Sequence, residues 1–202
     1  MLKTHRRLSA IVAVAALAAL AGCGKGDDYT APTTTTAAGC STGSSCRAGS
    51  ADPKDLVGAP APAITGKNLT GPGELSLASY VGKPTAVVFW LNSCPHCQHD
   101  MPGINALQQS IGDSVQIVAV AIDAGLKGGK GFETPAAAAK TLKLTVPTIL
   151  EPRAQADGDW HLASVPTAFI LDARHNVVSV ITRGNSDKNI APDIRRALTA
   201  AQ

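Results

Sequence analysis

Cys94 and Cys97 stand three residues apart in Cys94-Pro95-His96-Cys97. Two thiols at that spacing can do one of two kinds of chemistry. On a single helical turn the second sulfur reaches a mixed disulfide formed on the first and resolves it. Alternatively, the sulfurs act with nearby imidazoles as soft ligands for Cu(I) or zinc. The imidazoles on offer are His96, His99 and His161. A structural zinc site would show a second Cys or His pair at short spacing, which is missing here. Taken singly, His99 and His161 read as surface residues.

The elements around the pair decide what it can do. Thr85 to Leu91, TAVVFWL, is an apolar run rich in β-branched and aromatic residues, which predicts a buried central strand. A helix follows from Cys94 to Gly112, interrupted by Pro102, which should kink it. Cys94 then lies at a helix N-terminus, where the dipole favours an anion and lowers a thiol pKa. Ser93 or Asn92 is the expected N-cap, and Pro95 suits the first turn because it has no N–H to satisfy. Trp90, four residues before Cys94, should pack under the site.

The remaining pattern predicts strands at Leu75–Leu77, Val115–Ile122 and Val146–Leu150. A helix is expected over Glu133–Lys143, with Glu133 or Thr134 at its start and Pro135 near its first position. Ala168–Leu171 and Val177–Ile181 flank a polar turn and read as a hairpin, and Ile190–Ala200 reads as a closing helix. The Gly/Lys stretch Gly125–Gly131 has no Gly-Lys-Ser/Thr, so it reads as a loop and not a phosphate cradle. The order β-α-β-α, hairpin, helix predicts an α/β fold, a mixed central sheet flanked by helices.

Ahead of that domain the chain reads as an address. Lys3, Arg6 and Arg7 precede the apolar stretch Leu8–Leu20, followed by Ala21, Gly22 and Cys23, the order of a secretory signal. Leu20-Ala21-Gly22-Cys23 resembles a bacterial lipobox, which implies cleavage before Cys23 and lipid on its sulfur. An uncleaved anchor helix is the alternative. Residues 1–22 are thus expected to be a lipoprotein signal peptide, 23–55 a lipidated tether and 56–202 the folded domain. The tether is rich in Gly, Ser, Thr and Ala and has no apolar period. Within it, Cys40 and Cys46 are expected to form a structural disulfide, with a redox or metal pair and unpaired thiols as alternatives. The tether gives the domain reach near a membrane surface.

Composition narrows the classes. Hydrophobic residues make up 45% and charged residues 16%, so the chain is globular, while aromatics at 3% leave the core to aliphatic side chains. The net charge of +3 belongs to the leader: without Lys3, Arg6 and Arg7, 15 bases face 15 acids. A neutral domain gives no electrostatic case for binding nucleic acid.

From Val57 to Ala201 the sequence resembles the thioredoxin superfamily, in particular its TlpA/ResA-like branch of membrane-associated oxidoreductases. The matching residues are Ala59-Pro60, Leu75-Ser76-Leu77 with Gly82-Lys83-Pro84, Phe89-Trp90-Leu91-Asn92-Ser93-Cys94-Pro95-His96-Cys97, Met101-Pro102 and Val165-Pro166-Thr167. The resemblance implies a thioredoxin-like fold with an N-terminal extension and a central insert. It implies catalysis by Cys94, with Cys97 resolving, and no cofactor. It makes Pro166 a cis-proline facing the sulfurs, with Pro147 as a local rival. Val165 and Trp90 fall on the substrate side, and Pro95 and His96 tune the thiol. Asp100 falls where the branch carries an acid that can accept the Cys97 proton, the alternative being a solvated helix carboxylate. Implied partners are envelope proteins with thiols or disulfides and a membrane thiol transporter. A monomer is expected.

Two departures bear on direction. Ser93 stands where the branch has an aromatic residue, and Val88 where thioredoxin has a buried acid. Pro95-His96 is the dipeptide of DsbA-type oxidants. A histidine there stabilises the Cys94 thiolate, and so the reduced form, making the disulfide more oxidising. A thiol pKa lower by two or three units corresponds to about 40 to 90 mV. The scaffold leans toward reduction, which is the expected direction. Oxidation of envelope proteins and copper handling are the alternatives.

Overall fold

The computed structural model describes residues 52–152, 158–184 and 187–202. The readings for the leader, Cys23, Cys40 and Cys46 lie outside them. A short 3-10 turn, Pro53–Leu56, comes first, held by a capping box: the Asp52 side chain accepts the Lys54 N–H and Asp55 accepts the Asp52 N–H. Folded structure therefore starts ahead of the expected boundary at residue 56.

Among the described residues seven strands follow: β1 (Thr65–Asn68), β2 (Glu74–Ser76), β3 (Thr85–Trp90), β4 (Gln116–Asp123), β5 (Thr148–Pro152), β6 (Thr167–Leu171) and β7 (Val177–Thr182). They form one mixed sheet in the order β2-β1-β5-β4-β3-β6-β7. β3 runs parallel to β4, and β4 to β5, while β6 lies antiparallel on the other side of β3. β3 thus lies inside the sheet between β4 and β6, and every residue of it is buried. That is what its run of Thr, Ala, Val, Phe and Trp requires, since a strand covered on both faces has no polar side.

Among the described residues, α1 (Pro95–Ser110), α2 (Pro135–Thr141) and α3 (Ala191–Ala200) contribute to the core on one face of the sheet. Ala86, Val88 and Trp90 of β3 meet Met101, Ile104 and Leu107 of α1 and Ile194 and Leu198 of α3 there. Val87 and Phe89 point to the opposite face. Among the described residues, Ile64, Leu77 and Trp160 contribute to the cover on that face. Trp160 has ring centroids 5.0 Å from Phe89 and 4.9 Å from Phe169. This three-ring cluster gives Trp160 the core role that its sequence position did not suggest.

The strand β1 was not legible. Thr-Gly-Lys-Asn has neither apolar alternation nor a β-branched run, and it exists because β2 and β5 pair with it on either side. Gly66 makes the pairing possible, for a Cβ there would stand 2.1 Å from the Leu150 carbonyl oxygen. The β6–β7 turn behaves as expected. Asp172 organises it, its carboxylate accepting the N–H groups of Arg174 and Asn176.

Candidate active site

The chain leaves β3 at Trp90 and enters α1 at Pro95, so the end of this buried interior strand delivers Cys94 to a helix N-terminus. Neither Ser93 nor Asn92 caps this helix. Cys94 is the N-cap itself, its Sγ accepting the Cys97 N–H at 3.2 Å. A thiol there takes the position a serine hydroxyl usually fills, and the N–H favours its anion. Asn92 does a different job. Its side-chain amide donates to the carbonyls of Leu126 (2.9 Å) and Phe132 (2.7 Å), and its own carbonyl accepts from Gln98. This buried residue pins the Gly/Lys loop beside the rim of the site.

The two thiols differ sharply. Cys94 is half-buried and Cys97 fully buried. The Cys94 thiol is lowered from 9.0 to about 6. The hydrogen bond it shares with the Cys97 thiol is the main cause, followed by the backbone N–H groups of Cys97 and His96 against the opposing effect of burial; the imidazole charge of His96 contributes least. Burial pushes the Cys97 thiol strongly upward, and the Cys94 and Asp100 charges add to this. One sulfur is therefore a half-buried, accessible nucleophile and the other a protonated reserve.

The Val165–Pro166 peptide is cis, so Pro166 takes the position expected of it and the rival Pro147 does not. The Val165 carbonyl accepts the Cys94 thiol at 3.7 Å, which brings this loop directly onto the nucleophile. Val165 also lines a shallow apolar cavity of about 120 Å³ with Leu91, Ile122, Ala124 and Leu162. Trp90 does not belong to that wall. It is completely buried beneath the sulfurs, in the cluster with Cys97 and Met101, so the substrate-side assignment is corrected to one of support. Pro95 and His96 lie on the rim, both exposed.

Asp100 is fully buried, one turn beyond Cys97 on α1, which excludes the solvated alternative. Its Oδ1 is paired with the Arg183 guanidinium and lies 2.8 Å from His99 Nδ1, while Oδ2 has no hydrogen-bond partner among the described residues. Arg183 follows β7, and its guanidinium also donates to the His96 carbonyl at 3.4 Å. Sequence reasoning missed Arg183. Its one signal is a charge set directly after the apolar strand VVSVIT. His161 stands well apart in sequence from this cluster, and among the described residues no group of three His, Cys, Asp or Glu is placed to hold a metal ion.

A buried mixed sheet delivering a low-pKa thiol to a helix N-terminus, opposite a cis-proline loop, defines a thioredoxin-like dithiol protein. Residues 57–180 match the AhpC/TSA family, and the chain belongs to it. The thioredoxin-like protein YneN of Bacillus subtilis is 32% identical over 58% of this chain and 66% of its own length, just under two thirds. The thiol-disulfide oxidoreductase ResA of Geobacillus kaustophilus is 28% identical over 62% of this chain and 69% of its own. Among solved structures, a DsbF homologue from Corynebacterium diphtheriae superposes with a TM-score of 0.56 at 24% identity, covering 70% of this chain and 86% of that one, a likeness of fold.

Proposed function

We propose that this chain is a thiol–disulfide oxidoreductase of the bacterial cell envelope, working reductively on protein disulfides. The observation that carries the reading is the contrast within one helical turn: Cys94 half-buried with a thiol near 6, and Cys97 sealed behind it. The Cys94 thiolate attacks a client disulfide sulfur and expels one client thiolate. Cys97 then loses its proton and attacks Cys94 Sγ. The Cys94–Cys97 bond forms, the bond to the client breaks, and the client leaves with both sulfurs reduced.

The second attack is easier than the resting thiol suggests. Once Cys94 is bonded to the client, its negative charge and its hydrogen bond to Cys97, both of which hold the Cys97 proton on, are gone. Asp100 is the residue we assign to accept that proton. Val165, with Pro166 beside the nucleophile, offers backbone to an extended client segment.

The acidity of the Cys94 thiol supports the reductive direction. A thiol near 6 lies about one unit below thioredoxin's value of about 7 and well above DsbA's of about 3.5. Net oxidation of envelope thiols is the second reading, favoured by His96. Equilibrating the protein with glutathione buffers separates the two: a potential below about −230 mV supports reduction, and one above about −200 mV sinks it.

The location rests on Leu20-Ala21-Gly22-Cys23 and its basic, apolar lead. We assign lipid at Cys23, a tether to residue 55, and a membrane thiol transporter as the source of electrons. Mass spectrometry of the mature N-terminus tests this, and an intact Met1 or an unmodified Cys23 contradicts it.

A further inference from the structure

We propose that His99 is the proton exit of the active site, a positioning residue that acts through Asp100 and returns the Cys97 proton to solvent. The inference rests on the dithiol exchange described above and adds to it a residue and a route.

Asp100 is fully buried, so a proton placed on it has no direct way to water. The titratable groups facing it are Cys97 and His99 from α1 and Arg183 from the end of β7; the Asn189 amide touches only the backbone carbonyls of His99 and Asp100. Arg183 is itself buried and its guanidinium is a donor only, so it fixes the carboxylate and offers no lone pair to take a proton from it. Cys97 is the donor. Among the described residues, His99 alone joins the two environments: Nδ1 lies 2.8 Å from Asp100 Oδ1, and the side chain is 57% exposed. An imidazole is the side chain whose proton exchange falls in the neutral range.

The steps balance. As the Cys97 sulfur attacks Cys94 Sγ, its proton passes to Asp100 Oδ2, the oxygen without a hydrogen-bond partner, and the client leaves as a thiolate. The neutral carboxyl is held less firmly by Arg183. In the resting pair the Nδ1–H of His99 donates to the Asp100 carboxylate. Once the carboxyl is neutral, the exposed ring exchanges through solvent to its Nε2–H tautomer, and a half-turn about Cβ–Cγ brings the carboxyl proton to the freed Nδ1. The resulting imidazolium releases the Nε2 proton to water, which restores the Nδ1–H tautomer, and Asp100 returns to its ion pair. Neighbours in sequence on a helix do not face each other, so the His99–Asp100 contact is a feature of this structure and not a consequence of adjacency.

The test separates the two attacks. The full chain carrying Cys23→Ser, Cys40→Ser and Cys46→Ser is reduced and mixed with Ellman's reagent. Cys94 releases the first thionitrobenzoate, and Cys97 releases the second as it resolves the adduct. In His99→Ala the first phase should be unchanged and the second slowed about tenfold or more, the scale of a lost proton-transfer group. Added imidazole should restore the second phase, because a small base enters the space the ring left. A second phase within about twofold of the parent, or one slowed but indifferent to imidazole, overturns the relay. His99 is exposed, so the variant should fold, and an unchanged first phase reports that it has. If the parent itself releases only one equivalent, the dithiol reading fails, and the relay with it.

Discussion

The lowered Cys94 thiol makes a prediction about which residue lowers it. Near 6, about nine-tenths of Cys94 is thiolate at pH 7, against about one part in a hundred at the ordinary 9.0. Nucleophilicity falls with basicity at a Brønsted slope of about 0.4–0.5, which returns a factor of about 20. The net gain at pH 7 is only about fourfold, whereas at pH 5 it is about fortyfold. The thiolate is present above about pH 6 and is lost as pH falls through that value. Iodoacetamide alkylation of the chain lacking Cys23, Cys40 and Cys46, followed from pH 4 to 9 alongside thiolate absorbance, reads both quantities. The Cys97 thiol is the largest lowering influence and the His96 charge the smallest. Cys97→Ala should therefore move the midpoint upward by more than His96→Gln does. A parent midpoint near 8.5, or a larger shift from His96→Gln than from Cys97→Ala, refutes the reasoning.

Three further outcomes follow from the packing. Arg183→Met strands a buried carboxylate and should cost about 3–5 kcal/mol in urea unfolding, with Arg183→Met/Asp100→Asn recovering a good part of it. Gly66→Ala drives a methyl into the Leu150 carbonyl and should cost at least about 1–3 kcal/mol, read as a lower Tm and faster amide exchange in β1 and β5. Trp160→Ala empties the site between Phe89 and Phe169 and should cost about 3–5 kcal/mol by the same unfolding measurement, while leaving the Cys94 midpoint where it is.

Much of this molecule was legible because its signals are local. A continuous apolar run announces β3, Thr134-Pro135 announces α2, and Asp172 announces the hairpin turn. The cysteine spacing itself carries the dithiol. What was not legible depends on partners far along the chain. β1 is a strand only because β2 and β5 flank it, and Trp160 is core only because Phe89 and Phe169 reach it. Asn92 looked like a helix cap, yet its amide is spent on carbonyls 34 and 40 residues away. The same holds for Arg183, whose partner Asp100 is brought to it by the packing of α1 against the sheet. His96 drew attention in the sequence because it sits between the cysteines, while the structure gives the larger share of the thiol's acidity to Cys97 and the backbone.

The central claim is that Cys94 takes a client disulfide and Cys97 resolves it. Cys97→Ala and the parent, each lacking the three upstream cysteines, are incubated with oxidised glutathione and read by intact mass and peptide mapping. The account predicts one glutathione held stably on Cys94 in the variant, and in the parent a Cys94–Cys97 disulfide with no lasting adduct. A variant that takes up no glutathione on Cys94, or a parent that keeps it without forming the internal disulfide, contradicts the account.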